Sequence, residues 1–225
     1  MRLGFSMLFF GPRVLASHHG VLRELKAAGY DGVEVPTVEA EVAELRELGK
    51  MLDGEGLARS AVGFCGPEVD PASPHAAVRQ AAADHLRRLI DRASALGCDV
   101  LGGPMHSAYA TFPARSDASV GANPQLLARS AEVLRGVAAH AQAAGVVLGL
   151  EYLNRFECCL VTTAAQTLSL IHISTGWRRC VRVDLAIRAS GARAAREARS
   201  RGRRVLRIPS GRSAQDLIAV PPAPA

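Results

Sequence analysis

A glutamate stands at the end of an apolar run in the stretch LGLEYLNRFE, which extends from Leu148 to Glu157. A carboxylate at the end of a buried strand can bind a divalent cation or move a proton. The same pattern also fits a charge at a solvated strand end, so the spacing leaves both interpretations of Glu151 open. Asn154 and Arg155 could hold a polyhydroxylated ligand together with Glu157, or Arg155 could pair with a nearby acid.

Polar residues follow other apolar runs as well, namely Glu34, Cys65 with Gly66, and His106 with Ser107. A lone histidine such as His106 is more often hydrogen-bonded than a metal ligand. Cys65 either lines a pocket or is a small apolar residue at a strand end. No CxxC or HExxH motif accompanies these residues. The residue types therefore indicate only a polar site, with metal dependence as one option.

The elements that would position these residues alternate in type. Apolar runs predict strands at Leu3–Phe9, Gly32–Val35, Arg59–Phe64, Val100–Gly103 and Val146–Leu153. Between them, apolar residues recur at helical spacing, and Gly29, Gly97 and Gly145 stand where helices are expected to end. Five βα units in succession predict an α/β protein with a parallel sheet.

The chemistry-bearing residues favour one of the two common parallel architectures. No glycine-rich phosphate fingerprint follows the first strand, which disfavours a doubly wound nucleotide-binding sheet. Polar residues after several strands favour a (β/α)8 TIM barrel, whose active sites lie at the carboxyl ends of the strands. A complete barrel takes about 250 residues, and the chain has 225, so we expect an incomplete barrel of about five units.

Composition divides the chain in two. Residues 1–174 contain 15 Lys and Arg against 18 Asp and Glu, whereas residues 175–225 contain 12 Arg against 3 acids. The net charges are therefore −3 and +9, and only the last part is basic. No apolar run is long enough for a bilayer span. The five cysteines are odd in number, which fits a reduced, cytoplasmic protein.

Several stretches together resemble one enzyme family. LGLEYLNRFE is similar to the fifth-strand motif of the ketose 3-epimerases, which include D-tagatose 3-epimerase and D-psicose 3-epimerase and are xylose isomerase-like TIM barrels. GYDGVEVPT and DVLGGPMHSA resemble the family's second and fourth strands, and DPASPHAAVRQAAADHLRRLIDRASALG resembles its third helix with its lead-in. The resemblance covers about residues 1–167.

The resemblance implies a metal-dependent isomerase that epimerises free ketoses at C3 through a cis-enediolate. The family binds Mn²⁺ or Co²⁺, with Mg²⁺ as a further candidate, through two Glu, one Asp and one His. Glu151 matches the first metal-ligand Glu, which is also catalytic. Glu157 matches a substrate-binding Glu, and Cys65 lies where the family has a pocket residue. A small ketose substrate and a homodimer or homotetramer are implied, and nucleic acid and membrane partners are not.

Related alternatives stay open. A hydroxypyruvate isomerase or an inosose dehydratase would use a similar barrel. A protein that binds nucleic acid through the Arg-rich tail belongs to a different class, but it would rely on phosphate attraction alone, since the tail has one aromatic residue.

The family pattern stops near Thr167. The expected DTFH strand is missing, and Asp184 lies at about the right distance from Glu151 with neighbours that do not match. Residues 168–174, LSLIHIS, back-translate as CTG TCT CTT ATA CAC ATC TC, the transposon end of common sequencing adapters. We therefore expect residues 168–225 to be a non-homologous tail, artefactual or disordered, and the chain as written to be an inactive barrel fragment lacking most metal ligands. A genuine Arg-rich extension is the alternative.

Overall fold

In the computed structural model, the described residues are 2–111, 123–154, 156–173 and 181–182, with side chains described as far as Ile171. Strands and helices alternate along them. The strands are β1 (Gly4–Ser6), β2 (Gly32–Pro36), β3 (Ala58–Val62), β4 (Val100–Gly103), β5 (Val147–Leu150) and β6 (Val181–Arg182). The helices are α1 (His19–Ala27), α2 (Val42–Gly54), α3 (Ala76–Leu96), α4 (Pro124–Ala143) and α5 (Ala164–Ile173).

The strands form one sheet in the order of the chain. Each strand pairs in parallel with the next, from β1 through β6. A parallel sheet in sequential order with intervening helices is the arrangement of a (β/α)8 barrel. The predicted α/β barrel fold is therefore confirmed over the part of the chain that the structure describes.

Three predicted strands are too long, and β3 is one of them, since it ends at Val62 and not at Phe64. β1 ends at Ser6, and Met7–Phe10 form a 3₁₀ turn instead of continuing to residue 9. This turn brings the rings of Phe9 and Phe10 back to 6.2 and 6.0 Å from the ring of Phe5. These ring contacts form because the chain turns after Ser6, and they leave Phe9 and Phe10 42% and 38% exposed. β5 likewise begins one residue later and ends at Leu150, where its pairing with β4 ends.

The helices bury one apolar face against the sheet. Four large residues of α3 are completely buried, namely Leu86, Leu89, Ile90 and Leu96. The helix then stops at Gly97, whose φ of 78° lies in the left-handed region and whose N–H bonds to the Ser94 carbonyl oxygen at 2.9 Å. Gly29 and Gly145 have the same conformation just after α1 and α4, so the predicted helix-ending glycines are confirmed.

Two further predictions concern the tail and membrane spans. Helix α5 runs across the expected boundary between Thr167 and Leu168, and the separate origin of residues 168–225 stays a prediction. In the described ranges, no helix has both the length and the apolarity to cross a bilayer.

Candidate active site

A cavity of about 860 Å³ lies along the sheet, and residues of β1 to β5 line it. Small residues contribute much of its wall, including Gly4, Gly32, Ala58, Gly102 and Gly149. Alternate strand residues point to opposite faces, so a residue next to one of these along a strand can pack against the helices instead. Leu101 and Leu148, for example, belong to the buried core shared with the helices. One face of the sheet is therefore packed and the other is a concavity with room for a small ligand.

One carboxylate lines the cavity from within a strand and another from the carboxyl end of a strand. Glu34 lies in β2 and Glu151 directly follows β5. The Ser6 hydroxyl donates a hydrogen bond to Glu34 Oε2 at 2.6 Å, and Ser6, Glu34 and Ser60 are in register across β1 to β3. A third lining carboxylate, Asp31, accepts the backbone N–H of Leu3 at 2.6 Å. Asp31 therefore holds the start of β1, whereas Glu34 lies in the middle of β2 and Glu151 at the carboxyl end of β5.

Glu151 is held through its main chain. Its N–H donates to the Gly103 carbonyl oxygen at 3.1 Å, one step beyond the last paired residues of β4 and β5. The residue is half-buried. The predicted position of Glu151 at the end of a buried strand is confirmed, while its catalytic and metal-binding roles stay predictions.

Glu157 lies in a turn that follows. The Asn154 side-chain amide donates to Glu157 Oε2, and the Asn154 carbonyl oxygen accepts the N–H groups of Glu157 and Cys158 at 3.0 and 3.1 Å. The Ala110 N–H also donates to the Glu157 carbonyl oxygen at 2.9 Å. Arg155 lies outside the described residues. The structure thus gives Glu157 a fixed backbone, and its contact with substrate stays a prediction.

Cys65 lies beneath the surface. Its side chain is completely buried, and the nearest polar partner of its sulfur is the Met105 carbonyl oxygen at 3.9 Å. Burial, helped by the nearby Asp70 carboxylate, raises the pKa of the Cys65 thiol far above its ordinary value. The thiol is therefore protonated and acts as a small apolar group. This placement matches the second of the two interpretations of Cys65, and its role in substrate binding stays a prediction.

His106 is completely buried and hydrogen-bonded on both ring nitrogens. Nε2 lies 3.1 Å from the Glu151 carbonyl oxygen, and Nδ1 lies 3.0 Å from the Ser107 hydroxyl. Burial lowers the pKa of His106 to about 4, despite the raising effect of the Glu151 carbonyl contact. The expectation of a hydrogen-bonded histidine, and not a metal ligand, fits this geometry.

The described side chains do not complete a metal site. Within residues 2–111, 123–154 and 156–171, no three His, Cys, Asp or Glu side chains converge as a group that could hold a metal ion. Asp184, the candidate for a missing ligand, lies outside the described residues. A divalent ion such as Mn²⁺ usually takes several oxygen or imidazole ligands, and Glu151 supplies one. The described residues therefore supply one of the ligands implied by the resemblance and do not complete the site, and no chemical step is derived through the metal.

Two local features were not predicted from the sequence. The first is the Ser6–Glu34 pair, because Ser6 was placed inside a longer strand. The second is Asp70, whose Oδ1 accepts the N–H of Ala72 at 2.9 Å and of Ala108 at 3.0 Å. The sequence Asp-Pro-Ala-Ser is typical of an Asx turn, so the first of these bonds could have been found. The second joins residues 38 positions apart and has no local signal.

Comparison with known proteins gives consistent matches. The family model for the xylose isomerase-like TIM barrel matches residues 22–177. The chain is 27% identical over 150 residues to the ketose 3-epimerase of Arthrobacter globiformis, covering 67% of this chain and 50% of that protein. It is 30% identical over 154 residues to the L-ribulose 3-epimerase of Mesorhizobium japonicum, covering 67% and 48%. The chain thus spans about half the length of the curated relatives it matches.

Solved structures share the fold. A structure of L-ribulose 3-epimerase aligns with a TM-score of 0.69 at 25% identity, covering 81% of this chain and 59% of that one. A D-psicose 3-epimerase crystallised in the presence of D-fructose aligns with a TM-score of 0.69 at 24% identity, covering 81% and 62%. With the match of the family model over most of its length, the chain belongs to the xylose isomerase-like TIM barrel family.

Proposed function

We propose that the chain carries the first part of a sugar epimerase that acts on free ketoses at C3. The observation that carries the proposal is the position of Glu151, a half-buried carboxylate that lines the concavity at the carboxyl end of β5. Active sites of TIM barrels are built at this end of the strands. The relatives named ketose 3-epimerase and L-ribulose 3-epimerase support the choice of reaction, since both match this part of the chain.

The chemistry requires a base beside the reacting carbon. Inversion at C3 removes the proton next to the C2 carbonyl, gives a cis-enediolate, and returns a proton to the opposite face. Glu151 is proposed to move the proton on one face. The Gly103 carbonyl oxygen holds the Glu151 N–H at 3.1 Å, so the carboxylate starts from a fixed main chain. Such fixed placement is what general acid–base catalysis needs.

Glu157 and Cys65 have supporting roles in this proposal. Glu157 would accept hydrogen bonds from the terminal hydroxyls of the ketose, and the Asn154 amide on Oε2 would orient its carboxylate. Cys65 would support the wall of the pocket from beneath the surface, because it is buried and its backbone forms an isolated β-bridge with Ala108. Both roles rest on the resemblance to the family together with these contacts.

The metal and the assembly belong to the proposal on the resemblance alone. Glu151 would be one ligand of a Mn²⁺, Co²⁺ or Mg²⁺ ion, and the other ligands would come from outside the described residues. A homodimer or homotetramer is proposed on the same basis. We expect the chain as written to be inactive, since one carboxylate does not hold a divalent ion firmly.

A hybrid protein tests the reaction. Residues 1–167 are joined to the remaining strands of the Mesorhizobium L-ribulose 3-epimerase, and the purified hybrid is incubated with Mn²⁺ and single substrates. The panel contains D-fructose, D-psicose, D-tagatose, L-ribulose, hydroxypyruvate and an inosose. We expect C3 epimers of the ketoses from the hybrid and no conversion by the chain alone.

Each outcome of the panel decides between the candidates. Turnover of hydroxypyruvate or the inosose, without epimerisation of any ketose, would replace the proposal by one of the two related activities. A hybrid that unfolds cooperatively and binds Mn²⁺ but converts nothing would contradict the proposal. In the hybrid, Glu47→Gln serves as the control for a Glu151→Gln variant, because Glu47 is exposed on α2 and pairs with Lys50. The Glu47→Gln control should retain full activity.

A further inference from the structure

A buried polar cluster lies directly behind Glu151. It consists of His106, Ser107 and Cys158, which are 0%, 4% and 1% exposed. Buried polar groups cost free energy unless they are hydrogen-bonded, so a cluster of three in one place calls for complete pairing. His106 and Ser107 follow β4, whereas Cys158 lies beyond β5, 52 residues after His106. The cluster therefore joins two loops of the active face.

The hydrogen bonds of the cluster have a single direction. The Glu151 carbonyl oxygen can only accept, so His106 Nε2, 3.1 Å away, carries a hydrogen. In the neutral ring Nδ1 then accepts, and the Ser107 hydroxyl donates to it at 3.0 Å. With its hydrogen used, Ser107 Oγ accepts from the Cys158 thiol at 3.6 Å. The Leu160 N–H in turn donates to the Cys158 sulfur at 3.3 Å.

The cluster is anchored from outside. The Ser130 hydroxyl on α4 is completely buried and donates to the His106 carbonyl oxygen at 2.7 Å. At the other end of the two loops, the Ala110 N–H donates to the Glu157 carbonyl oxygen at 2.9 Å. The segment 106–110 therefore holds the segment 151–158 at both of its ends, and these ends carry Glu151 and Glu157.

We propose that His106 is a positioning residue that fixes the loop bearing Glu151 and Glu157. Its Nε2–H holds the peptide that follows Glu151, and Ser107 passes this constraint to Cys158. Both main-chain groups of Glu151 are then hydrogen-bonded, because its carbonyl oxygen accepts from His106 and its N–H donates to the Gly103 carbonyl oxygen. A site residue must be held within about 0.5 Å to function, and a buried hydrogen-bond network supplies such rigidity. The inference deepens the proposed function and rests on the roles given there to the two glutamates.

Three substitutions of His106 separate the contributions of the two ring nitrogens. The Gln amide nitrogen can take the place of Nε2, so His106→Gln keeps the donor to the Glu151 carbonyl. In His106→Asn the side chain reaches only the Nδ1 position, so this donor is lost. His106→Phe removes both. His85 offers a matched control, because its half-buried Nε2 also contacts a carbonyl oxygen, that of Phe64 at 2.9 Å, in a different part of the sheet.

The test is amide hydrogen exchange of the full chain, read by mass spectrometry of its peptides. A lost hydrogen bond corresponds to about a 10-fold change in a local opening equilibrium. We expect exchange in residues 151–161 to accelerate about 10-fold in His106→Asn and His106→Phe. His106→Gln should restore it to within about 3-fold of the original chain. His85→Asn should accelerate exchange around β3 and α3 only.

Three results would overturn the inference. These are unchanged exchange of residues 151–161 in His106→Asn, equal acceleration in His106→Gln, or an acceleration spread evenly over β1 to β5. If His106→Phe does not fold, the Asn and Gln variants decide by themselves. The readout is independent of epimerase activity, so an inactive hybrid would refute the proposed function and leave this test intact.

Discussion

Gly103 is the position at which a single methyl group should do most damage. Its φ of 129° lies in a region that is essentially restricted to glycine. A Cβ added there would stand 2.0 Å from the Gly63 carbonyl oxygen, which is a backbone atom of the neighbouring segment and cannot rotate away. The Gly103 carbonyl oxygen also holds the N–H groups of Met105 and Glu151. Gly103→Ala should therefore disturb the fold and the site together.

The expected cost has two parts. Forcing a residue with a Cβ into a glycine-only conformation costs about 1–3 kcal/mol. Overpacking against atoms that cannot move costs about 1–3 kcal/mol more. We therefore expect Gly103→Ala to lower the free energy of unfolding by roughly 2–6 kcal/mol.

Two neighbouring glycines provide controls. A Cβ at Gly102 would lie 3.8 Å from the Ala61 carbonyl oxygen, and one at Gly149 would lie 3.6 Å from the Gly102 Cα. Both are ordinary contacts on the concave face, and neither residue has a positive φ. Gly102→Ala and Gly149→Ala should change the free energy of unfolding by no more than about 0.5 kcal/mol.

Urea denaturation followed by circular dichroism measures all three variants, with unchanged slopes as the test of a common unfolded state. A loss below about 1 kcal/mol in Gly103→Ala, or an equal loss in Gly102→Ala, would refute the reasoning.

Three further predictions concern acid stability, core packing and the tail. Burial lowers the pKa of both His85 and His106, so below about pH 6.5 the unfolded chain binds more protons than the folded chain. The free energy of unfolding should therefore be at its full value above that pH and fall as the pH drops toward about 4.5. The loss due to His106 should be about 3 kcal/mol at most. Urea midpoints across this range check the slope, which His106→Gln should reduce, and a flat profile would contradict it. Leu89→Ala removes a completely buried side chain and should lower the free energy of unfolding by about 3 kcal/mol in the same assay. Leu168→Ala, at an exposed position, should lower it by less than about 0.5 kcal/mol. Equal losses would show that α3 is not packed as described. Resequencing of the source DNA across the codons for residues 159–182 should replace LSLIHIS by a strand that ends in Asp, and an unchanged read would contradict a chimeric origin.

Local patterns predicted the elements well wherever one principle dominates. β4 has the predicted bounds, since its apolar run is flanked by Gly97 and by Pro104. The glycines after α1, α3 and α4 were found because a left-handed residue is the usual helix end. Glu151 was placed at a strand end by the abrupt change from an apolar run to a charge. In each case the signal lies within a few residues of the feature.

The network behind the site could not be predicted in the same way. His106 contacts the Glu151 carbonyl oxygen across 45 positions, and the Ser107 hydroxyl meets the Cys158 sulfur across 51. No periodicity encodes such pairs, because they depend on how two separate βα loops meet. The end of β1 at Ser6 was missed for a related reason. The rings of Phe9 and Phe10 contact the ring of Phe5, which also contacts the ring of Tyr30 just before β2.

The central claim is that Glu151 moves the C3 proton of a ketose. The most direct measurement is deuterium incorporation at C3 of D-fructose in D₂O, followed by NMR, with the hybrid protein and its Glu151→Gln variant. We predict exchange by the hybrid and a loss of at least about 100-fold in the variant, the usual effect of removing a general base, with folding and the Glu47→Gln control unchanged. Exchange that persists in Glu151→Gln at a similar rate would contradict the account.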